Sequence, residues 1–539
     1  MKCSRFRSCV AAAVMSLVCC IVSLDADAQV KQLLKGTRTA RTAVKGAAVT
    51  GAIHAASNLS RNVPQVHPQV VPQVKPVGTA GFRQVSNLAQ RPFSLSASLP
   101  KLNIPVNVIR QRVGKVQERF LSYATIESQS IDDPDPLSFP MTEGQRRIAS
   151  HIYNEIKSFR GNDIKVTLSD DQYIYVDIPS NIKEDVPSIL FMAHMDVTPE
   201  APGKGIKPQV HRNYDGGTIT LGNGITLSPD MPEGAHLKDL KGKTIITSDG
   251  TTLLGADDKT GCTVLVTMLE EIIKNPKFKH GRVMVMLSQN EDVGKAAYRY
   301  DPEVFGTRPD IVIDVDGDDP RAFSVANFTA IGQTVRFKGN MAHPSHGLEN
   351  KYGDALTASS YFIGSLPPSV HPSASAGKKG YIHCYSCEHP KDSAGEEIRD
   401  EYIAKIRLRY FDKDEGDTLR RYLDSAFVKT SRAFPFVQVT RSEPALQYEN
   451  IAYSMPEYVP QLITKASVKE FMNLAPRHER GGTTSAMLSA RMPDMIPGGP
   501  CIYSGQQSEH SIYEWCCVEE MAQMVSVVEN IIGAITKMK

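Results

Sequence analysis

The body of the chain alternates short apolar runs with longer stretches in which apolar positions recur at helical spacing. A continuous apolar run of about four to eight residues is typical of a strand buried on both faces of a sheet. Such runs cover residues 188–193, 244–247, 282–287, 310–313 and 500–503. Helical spacing covers residues 145–159, 260–274 and 518–535. This order of strands and helices predicts an α/β fold with a mostly parallel sheet.

The first residues have the pattern of a targeting signal. Three basic residues precede an apolar run at 10–24, and the small residues Ala26 and Ala28 follow it. The run is short for a membrane span, so we predict a signal peptide at 1–28 and no stable membrane span. This predicts an exported protein, periplasmic or secreted. A lipoprotein anchor at Cys19 or Cys20 is a second, weaker alternative.

The net charge of +2 hides an uneven distribution of charged residues. No acidic residue lies between Asp27 and Glu118, where 13 Lys and Arg occur, whereas 45 basic and 57 acidic residues follow from Glu118 onward. An anionic body excludes nucleic-acid binding on global charge. Residues 29–115 repeat a Pro-Gln-Val theme and predict a basic, disordered tail. It is either a spacer or an arm that adheres to an anionic envelope surface.

One pair of cysteines has the spacing of half a zinc site. Cys384 and Cys387 are three residues apart and are flanked by His383 and His389. A second such pair is absent from the sequence, and the alternation at 381–387 favours a strand instead. Six cysteines outside the signal are also too few for a disulfide scaffold in so large a body.

Acidic residues and histidines follow the ends of the predicted strands. Ligands of a parallel α/β sheet lie beyond the carboxyl ends of its strands, so these side chains should converge. One acid after a strand is ordinarily a turn residue or a helix cap, but six in the same topological place would repel each other without cations. Histidines and carboxylates together suit Zn²⁺ or another first-row divalent ion. The six residues are His194, Asp257, Glu291, Asp292, Asp316 and His510.

Six motifs, in this order along the body, resemble those of the peptidase T family. They are AHMD at 193–196, DGTTLLGADDKTG at 249–261, NEDVG at 290–294, VDG at 315–317, RGGT at 480–483 and HSIYE at 510–514. The family consists of tripeptide aminopeptidases within a superfamily of di-zinc aminopeptidases, carboxypeptidases and aminoacylases. The motifs span nearly the whole body from about Glu118, and the long run at 249–261 is the most specific.

The resemblance implies a catalytic domain in two parts, at 116–326 and 441–539. Between them, residues 327–440 would form an inserted α+β lid domain of the ferredoxin-like type. The sequence pattern there fits the order strand, helix, strand, strand, helix, strand. These elements fall at 334–337, 354–363, 381–387, 403–410, 415–428 and near 436.

The resemblance also implies a set of metal ligands. His194 and Asp316 would bind one Zn²⁺, and Asp292 and His510 would bind the other. Asp257 would bridge the two ions, with a cis peptide bond to Asp258. Co²⁺ and Mn²⁺ are alternatives to zinc.

Five further residues receive roles from the resemblance. Glu291 would be the general base for the water that the zinc ions activate. Asp196 would orient His194, and His343 of the lid would contact the substrate carbonyl. Arg480 would clamp the terminal carboxylate of the peptide, and Asn327 would also contact substrate.

Three positions depart from the family pattern. Asp292 stands where the family has Glu, Asn290 replaces an acid before the base, and Thr484-Ser485 replaces Asp-Gly. Each ligand-competent group is retained, so we predict an active enzyme.

The function predicted from the sequence is a zinc-dependent aminopeptidase of short peptides, most of all tripeptides. A dipeptidase, a carboxypeptidase or an N-acyl amino acid deacylase of the same superfamily is the enzyme alternative. A non-catalytic peptide-binding envelope protein is the alternative from another class. Short peptides are the expected partners, and a homodimer is left open.

Overall fold

The computed structural model describes residues 106–133, 135, 138–160, 164–222, 224–468, 470 and 472–538, with side chains from 111 onward. The predicted signal peptide and the predicted tail up to residue 105 lie outside these residues. The first helix begins at Val106, inside the segment that the sequence assigned to the tail. Among the described residues, the structure contains no helix long and apolar enough to cross a membrane.

Eight helices and nineteen strands are named here in chain order. The helices are α1 (Val106–Ala124), α2 (Glu143–Ser158), α3 (Ala256–Lys274), α4 (Ala355–Gly364), α5 (Lys413–Ala433), α6 (Val459–Val468), α7 (Thr484–Arg491) and α8 (Val518–Ile535). The strands up to the middle of the chain are β1 (Lys165–Leu168), β2 (Ile174–Ile178), β3 (Ile189–His194), β4 (Gln209–His211), β5 (Ile219–Thr220), β6 (Thr226–Leu227), β7 (Ile245–Thr247), β8 (Val283–Ser288), β9 (Ile311–Gly317) and β10 (Ala322–Asn327). The remaining strands are β11 (Thr329–Lys338), β12 (Tyr381–Glu388), β13 (Glu401–Tyr410), β14 (Gln438–Arg441), β15 (Ala445–Tyr448), β16 (Ala475–Glu479), β17 (Cys501–Tyr503), β18 (Gln506–Gln507) and β19 (Trp515–Cys517).

The largest sheet has eight strands in the order β1-β2-β8-β3-β9-β17-β10-β16. Its pairs β8/β3, β3/β9, β9/β17 and β10/β16 are parallel. All residues of β3 and β8 are buried, as the continuous apolar runs predict for central strands covered on both faces. The predicted α/β fold with a mostly parallel sheet is therefore confirmed.

One face of this sheet is covered by long helices. Helix α3 packs on β3 and β9, and α1 and α8 pack on α3. Nearly every residue of α3 and α8 is buried, because α3 lies between the sheet and other helices and α8 packs against α1, α3 and α6. Helix α2 is amphipathic instead, and it begins with a capping box in which Thr142 and Gln145 satisfy each other's backbone N–H groups.

A second sheet, with the order β12-β13-β11-β14 and β15 paired to β11, is built from the segment between β10 and α6. We call strands β11 to β15 the second sheet. Its elements follow the order strand, helix, strand, strand, helix, strand that the sequence predicts, with one further strand, β15, at the end. Helices α4 and α5 cover one face and enclose a hydrophobic cluster of their own, which includes the Phe337–Phe362 ring pair at 5.6 Å. Within this sheet, Cys384 and Cys387 are strand residues with free thiols.

The chain enters and leaves the second sheet at one point. The Asn327 carboxamide accepts from the N–H of Ile451 at 2.8 Å and donates to the carbonyl oxygens of Phe328 and Glu449. In return, the backbone N–H of Asn327 donates to the Asn450 side chain at 3.2 Å. Both asparagines are buried, so these bonds hold the segment that enters the second sheet at Asn327 beside the segment that leaves it at Asn450. We call these two the crossing segments.

Buried arginines fasten α1 to the body. The Arg112 guanidinium, 3% exposed, donates to Glu271 at 3.0 Å and to Glu529 at 2.9 Å. Arg119 does the same with Glu155 and Glu270, both at 2.8 Å. These ion pairs join α1 to α2, α3 and α8, so Arg112, which precedes residue 116, packs with the helices that cover the largest sheet.

Replacing Arg112 should destabilise the protein substantially. Arg112→Met leaves two acids around an uncharged side chain, and loss of one partner from a buried ion pair costs about 3–5 kcal/mol. We expect a drop of about 3 kcal/mol in the free energy of unfolding, measured by urea denaturation. Arg321→Met is the matched control, since the Arg321 side chain is 74% exposed and its ion pair with Asp239 should contribute below about 1 kcal/mol. Equal effects of both variants would contradict the anchoring role.

Candidate active site

The predicted site residues lie where the sheet topology brings strand ends together. His194 ends β3, Asp316 lies near the end of β9, and Glu291 and Asp292 follow β8. Because β8, β3 and β9 are adjacent parallel strands, their carboxyl ends meet at one edge. Asp257 at the start of α3, and His510 on the loop between β18 and β19, reach the same edge.

Asp257 lies between the two histidines. Its Oδ1 is 2.9 Å from His194 Nε2, and its Oδ2 is 3.2 Å from His510 Nε2. Burial alone would raise the pKa of Asp257, but the hydrogen bonds from His194 and His510 hold it below its ordinary value. One carboxylate that faces two imidazoles with its two oxygens has the geometry of a bridging ligand.

The other two predicted ligands flank this centre on opposite sides. Asp316 Oδ1 is 3.6 Å from His194 Nε2, and Asp292 Oδ1 is 2.8 Å from His510 Nε2. Among the described residues, Asp292 Oδ2 is buried without a hydrogen-bond partner. We call His194, Asp257, Asp292, Asp316 and His510 the ligand cluster. Potential ligand atoms of Asp257, Asp292 and His510 lie within 4.8 Å of one another, and so do those of His194, Asp316 and Asp258.

The charges of the ligand cluster fit two metal ions. Burial, reinforced by the charge of Asp257, raises the pKa of Asp292 and of Asp316. Although burial alone would lower it, the pKa of His510 is raised to about 12 by its bonds to Asp257 and Asp292. The buried carboxylates of this cluster hold protons on the neighbouring imidazoles. Divalent cations bound in place of these protons would neutralise the charge of the carboxylates. The orphaned oxygen of Asp292 and the imidazole and carboxylate donors suit such ions.

Asp196 organises the loop that carries Glu291. Its buried carboxylate accepts from Ser130 at 2.6 Å and from the backbone N–H groups of Glu291 and Asp292 at 3.2 and 3.3 Å. Its Oδ1 also lies 3.5 Å from His194 Nδ1. A carboxylate behind a histidine orients the imidazole and makes it a better ligand. Asp196 therefore connects β3 to the loop after β8.

Asn290 explains one departure from the family pattern. It adopts a left-handed φ of 57°, and its side chain accepts from Gln145 at 2.7 Å and donates to the carbonyl oxygen of Pro140 at 3.1 Å. The residue is fully buried. A neutral amide satisfies both the donor and the acceptor there, whereas a carboxylate would meet the Pro140 carbonyl without a proton to donate.

Glu514 is a site residue that sequence reasoning missed. Its carboxylate accepts from the backbone N–H groups of Leu254 and Gly255, both at 2.6 Å, and of Asp257 at 2.9 Å. Burial raises its pKa to about 7. Glu514 lies within the HSIYE motif, but its role depends on backbone N–H groups of a loop that is distant in the sequence. Glu514 holds the loop that delivers Asp257.

The loop before α3 has an unusual backbone. Gly255 adopts a left-handed φ of 79°, and the peptide bond between Asp257 and Asp258 is cis, as the resemblance implied. Asp258 accepts from the N–H of Gly261 at 2.9 Å. A Cβ at Gly261 would lie 2.0 Å from the carbonyl oxygen of Val315 and 2.4 Å from Asp258 Oδ1. Only glycine allows α3 to start this close to β9.

Glu291 lies at the border between the ligand cluster and a cavity of about 220 Å³. Thr484 Oγ1 donates to Glu291 Oε1 at 2.8 Å. Burial raises the pKa of Glu291, and the charges of Asp196 and Asp257 add to that rise. Asp314 beneath it accepts from the N–H of Ser485 at 3.4 Å, and burial raises the pKa of Asp314 to about 7. Thr484, one of the residues that depart from the family pattern, therefore holds the Glu291 carboxylate, which faces the cavity.

The structure does not bring the three remaining predicted residues to the ligand cluster. His343 is exposed on the loop after β11, where its Nδ1 contacts Ser345 Oγ at 2.6 Å. The buried Asn327 carboxamide is used by backbone groups of the crossing segments, so these contacts lend no support to substrate binding. Arg480 donates to the carbonyl oxygen of Gly377 and to Ser375, at 2.7 and 2.8 Å, and lies over the Phe328 ring at 4.7 Å. It joins the loop before β12 to the edge of the cavity.

Comparisons with known proteins find relatives that this chain matches over nearly their full length. Peptidase T of Bacillus pumilus (strain SAFR-032) is 32% identical over 418 residues, which are 77% of this chain and 97% of that protein. The crystal structure of aminopeptidase PepT from Bacillus cereus covers 79% of this chain and 99% of its own, with a TM-score of 0.57 and 18% identity. A tripeptidase structure from Staphylococcus aureus has the same coverage, a TM-score of 0.56 and 16% identity. No family model matches the chain.

The predicted export of the chain is contradicted by these relatives. The peptidases T that the body matches are cytoplasmic enzymes. The alignment accounts for 97% of the Bacillus pumilus protein. The prediction of a periplasmic, secreted or lipid-anchored protein was wrong because it rested on the first 28 residues alone, which lie outside the residues that the structure describes.

Proposed function

The chain belongs to the peptidase T family, and from this premise we propose that it is a metal-dependent aminopeptidase that removes the N-terminal residue of tripeptides. The observation that carries the proposal is the single carboxylate of Asp257 between His194 and His510, beside Glu291 and the cavity. A general base next to a two-ion site is an arrangement that catalyses hydrolysis of a peptide bond.

We further propose that the two ions are zinc. His194 and Asp316 would hold one ion, His510 and Asp292 the other, and Asp257 both. When bound, such ions lower the pKa of water and polarise the carbonyl of the scissile bond. The one-imidazole, carboxylate-rich set on each side suits Zn²⁺, and Co²⁺ and Mn²⁺ are alternatives.

Glu291 would move the proton in the reaction. Its raised pKa, caused first by burial, makes it a stronger base than an exposed glutamate. Its Oε1 is held by Thr484, which leaves Oε2 to take the proton of the attacking water. The same oxygen would return this proton to the leaving amine nitrogen. Asp196 keeps the base in place through the backbone N–H of Glu291.

Charged residues in and beside the cavity suit the two ends of a peptide. The cavity beside Glu291 is lined by Asp318, Asp319 and Glu479, of which Arg477 neutralises part. We assign this end to the free amino group. Arg480, which begins the RGGT run directly after Glu479, remains our candidate for the terminal carboxylate. The second sheet would act as the inserted lid, and His343 on it would approach the substrate carbonyl.

Blocked peptides and a chelator test this function directly. The purified protein should hydrolyse Ala-Ala-Ala, lose this activity after dialysis against EDTA, and regain it with added Zn²⁺. N-acetylated Ala-Ala-Ala should be cut at a rate at least about a hundredfold lower, because the acidic wall would no longer meet an ammonium group. Faster cleavage of N-acetyl-alanine than of the tripeptide would favour a deacylase. Zinc binding without hydrolysis of either compound would favour a binding protein.

A further inference from the structure

The two histidines of the ligand cluster are held in different ways. His194 is buried at the end of β3, and its Nδ1 lies 3.2 Å from the carbonyl oxygen of Asp196. His510 lies on the loop between β18 and β19, and its side chain is 34% exposed. Its backbone has a left-handed φ of 59°. A left-handed backbone is unfavourable for a residue with a Cβ, so it persists only where neighbouring contacts hold it. The His510 side of the cluster therefore depends on the contacts of a loop.

Glu200 makes such a contact. The Nδ1 of His510 donates to Glu200 Oε2 at 3.0 Å, while Nε2 faces Asp292 Oδ1 at 2.8 Å and Asp257 Oδ2 at 3.2 Å. A carboxylate that accepts from one ring nitrogen leaves the other nitrogen as the ligand and fixes the direction of the ring. Asp196 lies behind His194, and Glu200 lies behind His510 in the same way.

The loop that carries Glu200 is fixed by Gln129. The Gln129 carboxamide donates to the carbonyl oxygens of Thr198 and Ala201, at 2.8 and 2.7 Å, on either side of Glu200. The backbone N–H of Glu200 donates to Thr198 Oγ1 at 3.2 Å. Thr198 and Ala201 are buried, whereas the Glu200 side chain is 43% exposed. Truncation of this side chain therefore leaves the bonds that shape the loop in place.

The loop that carries His510 is held mainly through its backbone. Ser508, which also has a left-handed φ, of 57°, donates from Oγ to the carbonyl oxygen of Glu233 at 2.7 Å. Ser511 Oγ donates to the carbonyl oxygen of Ser508 at 2.7 Å. These bonds place the loop but leave the direction of the imidazole to the groups that touch the ring. Among the described residues, the carboxylates that contact the ring nitrogens are those of Asp257, Asp292 and Glu200.

We propose that Glu200 is a positioning residue that sets the affinity of the metal ion on the His510 side and leaves that of the ion on the His194 side unchanged. The inference rests on the proposed function, because it takes the two-ion site as given. His194 has the buried Asp196 behind it, whereas His510 has an exposed carboxylate from a different loop. Loss of such an outer partner lowers metal affinity about 10–100-fold. One exposed side chain thus controls the occupancy of the second position.

The test measures both metal affinities of Glu200→Ala. The dialysed protein is titrated with Zn²⁺ against a chromophoric chelator, and bound ions are counted by plasma mass spectrometry. We expect one ion per chain to keep the wild-type affinity and the other to bind about 10–100-fold more weakly. Glu200→Gln keeps an oxygen that can accept from Nδ1, so its affinity should lie between. Hydrolysis of Ala-Ala-Ala by Glu200→Ala should need a free Zn²⁺ concentration higher by the same factor and should reach the wild-type kcat at saturation.

Glu184→Ala, on the exposed loop between β2 and β3, is the matched control and should leave both affinities unchanged. If Glu200→Ala kept both wild-type affinities, or weakened both ions equally, this inference would be overturned while tripeptide hydrolysis by the wild type upheld the proposed function. A kcat of Glu200→Ala that stayed low at saturating Zn²⁺ would also overturn it, because Glu200 would then act on the reaction itself. A wild type that bound no Zn²⁺ would overturn the proposed function.

Discussion

Glu291→Gln should lower kcat for tripeptide hydrolysis by about 10²–10⁴, the range that a positioned general base contributes. Glutamine has the same shape and keeps an oxygen that can accept the hydrogen bond from Thr484. It cannot take a proton from water, so the chemical step loses its base while the site keeps its form. Measurement of kcat, KM and bound metal on the same preparation would check this.

Measurement of the bound metal distinguishes loss of the general base from loss of the metal site. Glu291→Gln should bind as much metal as the wild type, because Glu291 is not part of the ligand cluster. Glu303→Gln, which makes the same change on an exposed turn, serves as the control and should keep full activity. An undiminished kcat of the Glu291→Gln variant would contradict the proposed mechanism.

Asp257→Ala should remove both activity and metal. The two oxygens of Asp257 face His194 and His510, so its loss takes one donor from each side of the ligand cluster at once. Metal affinity should fall by more than the ~10–100-fold that loss of an outer hydrogen-bond partner costs. Plasma mass spectrometry of the dialysed variant, with circular dichroism to confirm folding, measures the effect.

A surface aspartate provides the comparison for this variant. Asp230→Ala removes a side chain that is 91% exposed, and it should leave both the metal content and the activity unchanged. Retention by Asp257→Ala of wild-type metal stoichiometry would show that Asp257 is not shared between two ions. Loss of only one ion would show that the remaining donors hold the other.

The convergence of the ligand cluster could be predicted from sequence because it depends on backbone topology. Once β3, β8 and β9 are parallel neighbours, His194, Asp292 and Asp316 must meet at one edge, whatever the side chains around them. The position of Glu514 could not be predicted in this way. It depends on three backbone N–H groups of a loop more than 250 positions earlier in the chain.

The positions of His343 and Arg480 could not be predicted from their motifs. A motif can indicate that His343 or Arg480 matters, but where these side chains lie depends on how the second sheet sits against the first. That placement is set by the crossing segments at Asn327 and Asn450 and by the rings around Phe328, none of which has a periodic signal. Strand and helix bounds were predicted within a few residues in both sheets, because local periodicity encodes them. The sequence patterns did not predict helices α1 and α6, nor strands β1, β2, β10 and β16 of the largest sheet. The short helix α7 was missed for lack of apolar spacing.

The position of β17 in the central sheet has a consequence for synthesis on the ribosome. This strand comes from the last tenth of the sequence, yet it lies between β9 and β10, which are made nearly two hundred residues earlier. Until Cys501 to Tyr503 emerge, the nascent chain carries two facing strand edges with an open slot between them. The second sheet, by contrast, is complete in one continuous stretch and can fold first. The largest sheet is thus the last to close, and β17, which follows Gly481 and Gly482 of the cavity in the sequence, is the strand that closes it.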